Sequence, residues 1–270
     1  MSESETIWTK TSSSSTWKLE STFYLPNRAM NFGDGVFETM FFDGKKIRFR
    51  EHHLKRAKHG LETLGIQGNS LDLEEIEGLL SRSHSGKKIR VRWNLFRAGS
   101  GKYSPEQNEL NQTLLAEVYV KPPIQKRNSG LCSSVFLHHS SISSLKTLNC
   151  LPYVLAAQER IKYGWDEIIL LDSKGNIAEA GAANIFWKKG EIVYTPSLET
   201  GCIAGVGRAA IIAKLLDLGI EIQEGCFSKE ELYQAQKVWV SNALGVSYLE
   251  KIEFVEFSPE PWGVLEDIFK

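Results

Sequence analysis

The stretch that most limits the fold runs from Asp166 to Pro196. It reads "DEIILLD", the turn "SKGN", "IAEAGAANIFW", the turn "KKG" and "EIVYTP". The apolar runs are strand-length, and the Gly-containing turns between them are too short to hold a crossover helix. Such a segment reads as an antiparallel meander. Around it the period changes. In "EHHLKRAKHGLETLGI", Leu54, Ala57, Leu61 and Leu64 fall at helical spacing, and in "LDLEEIEGLLSR" Leu73, Ile76, Leu79 and Leu80 share one face. "KIRVRWNLF" alternates, with Ile89, Val91, Trp93 and Leu95 pointing one way.

Further elements follow the same logic. Short strands broken by turns, among them "LPNRAMNFGDG", are expected from Trp17 to Phe49. "TLLAEVYV" and "GLCSSVFLHHSSIS" read as strands, "LPYVLAAQERIKYG" and "GRAAIIAKLLDLGI" as helices, and "KVWVSNALGVSYL" as a late strand and turn. Asn149 is placed to cap the first of those helices, with Pro152 in its first turn and Gly164 at its end. Hairpins outnumber βαβ units, so an α+β class is expected. "KPPIQKRNSG" carries two prolines and several charges, which mark a linker. The expected division is an N-terminal domain over 1–120, a linker at 121–126 and a larger C-terminal domain over 127–270. No repeat is visible, and "TSSSST" reads as a solvated loop.

Composition excludes several classes. The 270 residues carry a formal charge of -1, which gives no bulk attraction for nucleic acid. No apolar run approaches the roughly 20 residues of a membrane helix. "MSESETIWTK" lacks a cationic-then-apolar leader pattern, so a cytoplasmic chain with reduced thiols is expected. Cys132, Cys150, Cys202 and Cys226 form no CxxC pair, and His52–His53 and His138–His139 are adjacent pairs whose rings diverge on a helix or strand. No metal site is expected.

Four features could carry chemistry. Lys146 stands at a strand-to-helix corner among Leu145, Leu148 and Leu151. A lone lysine ordinarily snorkels into solvent, but poor solvation would lower its pKa and make it a Schiff-base former and proton carrier. Glu179 lies beside Ala178, Ala180, Gly181, Ala182 and Ala183. A strand glutamate usually faces water; here the missing bulk leaves space for a flat ligand whose ring nitrogen a carboxylate could pair with. "GCIAGVGRAA" puts three glycines before a helix, a pattern suited to phosphate although common in loops. Arg56 lies off its helix's apolar stripe, which fits plain exposure or bidentate phosphate binding. A lysine, a carboxylate, a phosphate-binding helix start and an arginine are together the demands of pyridoxal 5'-phosphate.

The sequence resembles the class IV, fold-type IV pyridoxal-phosphate enzymes, which include branched-chain and D-amino-acid aminotransferases and 4-amino-4-deoxychorismate lyases. The resemblance runs from about Asn27 to Val246 and rests on "NRAMNFGDGVFET", "REHHLKRA", "LKTLN", "IAEAGAANIFW", "AGVGR" and "SNAL". It implies a two-domain fold like that of D-amino-acid aminotransferase, with Lys146 as the cofactor-bearing acid/base. Arg56, Val206, Gly207, Asn242 and Ala243 would hold the phosphate, and Glu179 the pyridine nitrogen. Phe32, Phe37 and Thr39 would line the substrate side, with Arg97 and Lys102 as carboxylate partners or else loop surface charges. A homodimer acting on a small molecule is implied. The short K-x-L-N form, "EAGAANIFWKKGEIVYTP" and "SNAL" are nearest the lyases. That implies release of 4-aminobenzoate and pyruvate in folate biosynthesis, with a D- or branched-chain aminotransferase as the alternative. A cofactor-binding protein without chemistry is a third reading, disfavoured by retention of both Lys146 and Glu179. Gly207, Ala243 and Cys150 depart from the family by removing two hydroxyls and a tyrosine, changes that bear most on transamination.

Overall fold

The computed structural model describes residues 6–14, 16–19, 27–68 and 71–269. Leu25 and Pro26 of the expected first turn lie outside them. Backbone packing divides the chain into two units. The first is Met1–Val120 with Leu145–Asn149, and the second is Lys121–Ser144 with Cys150–Lys270.

The first unit holds β1 (Thr6–Lys10), β2 (Lys18–Leu19), α1 (Arg28–Phe32), β3 (Gly35–Phe42), α2 (Arg50–Leu64), α3 (Leu73–Ser83), β4 (Ile89–Arg97) and β5 (Leu110–Val118). The strands form one antiparallel sheet in the order β2-β1-β5-β4-β3. The alternation read in β4 holds: Ile89, Val91, Trp93 and Leu95 are all fully buried and share a core with Ala57, Leu61, Leu73, Ile76 and Leu80 from the two helices. Removing those apolar surfaces from water is the main stabilising term for this layer. The Trp93 indole also donates to Gln112 Oε1 at 3.0 Å, so its one polar atom is satisfied.

Where strands and turns were expected near Asn27, the chain forms the short helix α1. The Asn27 side chain accepts from the Met30 N–H at 2.9 Å, and Gly33 ends the helix in the left-handed region at φ 62°. These cap residues were present in the sequence, but five residues are too few to show a helical period.

The second unit holds β6 (Gln125–Lys126), β7 (Ser129–Leu137), α4 (Leu151–Lys162), β8 (Glu167–Asp172), β9 (Ile177–Ala180), β10 (Asn184–Lys189), β11 (Ile192–Pro196), α5 (Val206–Asp217), β12 (Ile222–Gly225), α6 (Lys229–Leu232), β13 (Lys237–Asn242), β14 (Gly245–Leu249), β15 (Lys251–Ile252), β16 (Val255–Glu256) and α7 (Gly263–Ile268). One sheet runs β12-β11-β10-β13-β14-β6 and another β16-β15-β7-β8-β9. The expected meander is therefore split. "IAEAGAANIFW" is two strands, β9 and β10, in different sheets, because the small residues 181–183 turn the chain between them. Two parallel pairs, β7 with β8 and β11 with β12, enclose α4 and α5 as crossovers.

Three further expectations change. The stretch 121–130 is not free of regular structure: past its prolines, Gln125 and Lys126 pair in parallel with Tyr248 and Leu249. β7 ends at Leu137, so His138 and His139 fall beyond it and the lysine corner is not a strand end. Helix α4 is preceded by Cys150 as its N-cap; Asn149 instead donates to the Gly33 carbonyl at 3.4 Å.

The corner itself is captured by β3. The Phe37 N–H donates to the Lys146 carbonyl at 2.8 Å, the Leu148 N–H donates to Gly35 at 3.0 Å, and Val36 and Thr147 form a bridge. Leu145–Asn149 consequently packs with the first unit, not with the 127–270 block to which its place in the chain assigned it.

Candidate active site

In the first unit, the side chains on β3 alternate between two faces. Glu38 points toward α2, where it is buried with His53 and Arg56. Arg56 donates through Nε to Oε1 at 2.8 Å and through a terminal nitrogen to Oε2 at 2.5 Å, and His53 Nδ1 lies 2.6 Å from Oε2. Burial alone would raise the Glu38 carboxyl. The Arg56 charge and the His53 hydrogen bond outweigh it and hold the group down at about 2. Burial pushes His53 below its ordinary value despite the carboxylate, so the neutral ring donates from Nδ1. Arg56 is thus a bidentate partner of Glu38, its side chain 11% exposed. The sequence reading expected Arg56 at a phosphate and did not foresee Glu38 or His53.

Phe37 and Thr39 stand on the other face. The Lys146 ammonium lies 4.4 Å from the Phe37 ring centroid, and the Arg92 guanidinium lies 3.8 Å from the same ring. These contacts place the two cations no more than about 8 Å apart. Beside them opens a cleft of about 350 Å³ lined by Arg92, Asn94, Thr113, Asn27, Met30 and Leu148, among others. A polar chain crosses its wall: Arg92 Nε donates to Asn94 Oδ1 at 2.9 Å, and Asn94 Nδ2 donates to Thr113 Oγ1 at 2.9 Å. The chain orients the guanidinium. Among the described residues, neither terminal nitrogen of Arg92 has a hydrogen-bond partner.

The expected carboxylate partners behave differently. Arg97 is buried and donates to Asp34, to the Gly65 and Leu64 carbonyls and to Asn108. Its donors tie β4 to the end of α2, so it is a structural group and not a surface or substrate-facing charge. Lys102 is exposed on a loop whose carbonyls, its own included, accept from the buried Arg28. Phe32 is half-buried under the Arg28 guanidinium, 4.9 Å from its ring centroid.

In the second unit, Glu179 lies on β9 and is 3% exposed. Its Oε1 accepts from the Tyr153 hydroxyl at 2.6 Å and its Oε2 from the Ile203 N–H at 3.3 Å. Next along the chain, α5 opens at Gly205 without a side-chain cap, so its first N–H groups and positive dipole end suit an anion. The loop after β13 closes on that helix start: a Cβ on Gly207 would lie 2.8 Å from the Asn242 carbonyl oxygen. Asn242 donates to the Ala182 carbonyl at 3.1 Å and accepts from the Leu244 N–H at 2.9 Å, fixing the loop, and Ala243 is buried. Val206, Gly207, Asn242 and Ala243 are therefore neighbours, as a phosphate cradle requires. Gly207→Ala is expected to cost about 1–3 kcal/mol, because the added methyl meets backbone and not a movable side chain; a urea unfolding midpoint measures it.

Among the described residues, no group of three or more His, Cys, Asp or Glu is placed to hold a metal ion. No described helix is long and apolar enough to cross a membrane.

Comparison with known proteins gives the family. The family described as amino-transferase class IV matches residues 35–250, and the chain belongs to it. An aminodeoxychorismate lyase of Bacillus subtilis is 31% identical over 252 residues, covering 88% of this chain and 85% of that protein. The fold matches the crystal structure of a 4-amino-4-deoxychorismate lyase from Pseudomonas aeruginosa with a TM-score of 0.83 at 21% identity, covering 97% of each chain. It also matches a branched-chain aminotransferase from Thermoproteus uzoniensis, with a TM-score of 0.83 at 21% identity over 98% of this chain and 92% of that one. The two-domain α+β, fold-type IV architecture is thus the fold of this family.

Proposed function

We propose that this chain is a pyridoxal 5'-phosphate-dependent 4-amino-4-deoxychorismate lyase that forms 4-aminobenzoate and pyruvate. The observation that carries the substrate is the match to the Bacillus subtilis lyase along 88% of the chain. The residues suit the cofactor. Glu179 is a buried carboxylate able to pair with a ring nitrogen, and the uncapped start of α5 at Gly205 offers free N–H groups to a phosphate. Val206, Gly207, Asn242 and Ala243 would bind that phosphate.

Bound pyridoxal phosphate supplies an electron sink for the pair released when a proton leaves the amine-bearing carbon. Lys146 would hold the cofactor and would take that proton from the substrate's amine-bearing carbon. Glu179 would pair with the ring nitrogen and favour its protonated form. The enolpyruvyl oxygen then departs with the bonding pair, and Lys146 returns a proton to the departing group. Phe37 holds the lysine stem beneath its ring, and Thr39 borders the same face. The cleft beside them takes the substrate, and Arg92, with two terminal nitrogens facing no described partner, binds one of its carboxylates in place of Arg97. Arg92→Gln is expected to raise KM about tenfold or more with little change in unfolding midpoint, since a charge-assisted bond is lost without exposing core.

A class IV aminotransferase is the other activity this family contains, and it differs by needing a keto acid. The assay therefore uses purified protein, pyridoxal phosphate and 4-amino-4-deoxychorismate, and follows 4-aminobenzoate fluorescence without keto acid. Product supports the lyase. No product, with amino transfer on adding a keto acid, replaces it with the aminotransferase. We place the enzyme in the cytoplasm as a homodimer. The exposed apolar face of α4, with Leu151 and Ile161 66% and 69% exposed, supports the dimer.

A further inference from the structure

We propose that Tyr153 is a positioning residue for Glu179, holding its carboxylate in one orientation and in its ionised form. The inference rests on the reading of Glu179 as partner of the cofactor's ring nitrogen. It extends that reading to a residue on another element, 26 positions away in the chain.

Glu179 is buried, and a buried carboxylate is stable only with donors around it. Of the Tyr153 and Ile203 bonds, the first is much the shorter, at 2.6 Å against 3.3 Å. It joins the first turn of α4 to β9, so the carboxylate's rotation is tied to a helix and not only to its own strand. Burial, and then the Glu179 charge, push the Tyr153 hydroxyl far above its ordinary range. The group therefore remains protonated and always donates. A fixed donor favours the ionised carboxylate over the protonated one. That bias matters for a carboxylate facing a protonated ring nitrogen: the more stable the anion, the more firmly the proton stays on nitrogen.

Other titratable groups act on the pair among the described residues. The Cys150 and Cys202 thiols face Tyr153, and Arg208 acts on Cys202. Burial and the Glu179 charge push Cys202 up to about 12, so it is neutral wherever the enzyme would work. Tyr153 is thus a neutral donor on Glu179, and its bond is the shorter of the two described.

The test is a double-mutant cycle on the holoenzyme. Tyr153→Phe keeps the ring and removes the hydroxyl; Glu179→Gln removes the carboxylate charge. Two readouts are taken, the pH titration of the bound cofactor's visible absorbance and the dissociation constant of pyridoxal phosphate by equilibrium dialysis. Tyr153→Phe is expected to move the absorbance midpoint and weaken cofactor binding about threefold to tenfold. In the Glu179→Gln background the same substitution should change neither. An unchanged titration and affinity in Tyr153→Phe overturns the proposal, and so does an equal shift in the Glu179→Gln background. A wild-type protein that develops no visible band with pyridoxal phosphate overturns the cofactor reading itself, a result distinct from the other two.

Discussion

Lys146→Ala is expected to lower 4-aminobenzoate production by at least about a thousandfold, because one side chain is assigned both the covalent and the proton-transfer roles. The fold should survive the change. Lys146 is half-buried, its backbone is pinned by β3 through main-chain bonds, and its ammonium lies against the Phe37 ring. Lys146→Arg separates two explanations. Arginine keeps a cation near Phe37 but stays charged at any working pH, so it can neither form the Schiff base nor carry the proton. Both variants should therefore be inactive, with unfolding midpoints close to wild type. Activity retained by Lys146→Arg would mean that only the positive charge matters, and the lysine would lose its assigned chemistry.

The second large effect concerns stability. Glu38→Ala is expected to destabilise the protein by about 3–5 kcal/mol, the usual cost of removing one partner of a buried ion pair, here the carboxylate that accepts from both Arg56 and His53. The residue left behind is Arg56, together with a His53 ring whose Nε2 already lacks a partner among the described residues. The effect should depend on pH with a definite sign. The Glu38 carboxyl sits at about 2 in the folded chain against an ordinary 4.5. Its contribution is then complete above the ordinary value and is lost as pH falls from there through the folded value. His53 acts in the same direction. Its folded pKa lies below 6.5, so the unfolded chain takes up a proton first, and stability declines as pH drops below that value. Urea midpoints of wild type and Glu38→Ala should differ most near neutrality, and the gap should narrow below about pH 4.5. A constant gap across that range would show that the loss comes from packing and not from ionisation.

Local patterns were readable in advance. The 3.6 period placed α2 and α3, the alternation placed β4 with its buried face, and the short Gly turns placed the hairpins. Motifs pointed to Lys146, Glu179 and the α5 start because each depends on a few adjacent residues. Strand periodicity says which face a residue takes but not which sheet receives the strand, so the division of β9 and β10 between two sheets was not visible. Proline signals a break but not its length, and pairing resumed at Gln125.

The amino-acid sequence by itself determined the class of fold, the placement of the longer helices and strands, and the family, since these follow from near-neighbour spacing of apolar, turn and motif residues. Tertiary structure alone decided which partner each charged group found. It bound Arg97 to Asp34 and Asn108, left Arg92 facing the cleft, paired Arg56 with Glu38 and joined Tyr153 to Glu179. It also gave Lys146 to β3, more than 100 positions earlier in the chain. These contacts link residues far apart in sequence, and no local period encodes them. They are set by the need of every buried polar group to find a donor or acceptor once the chain has closed around it.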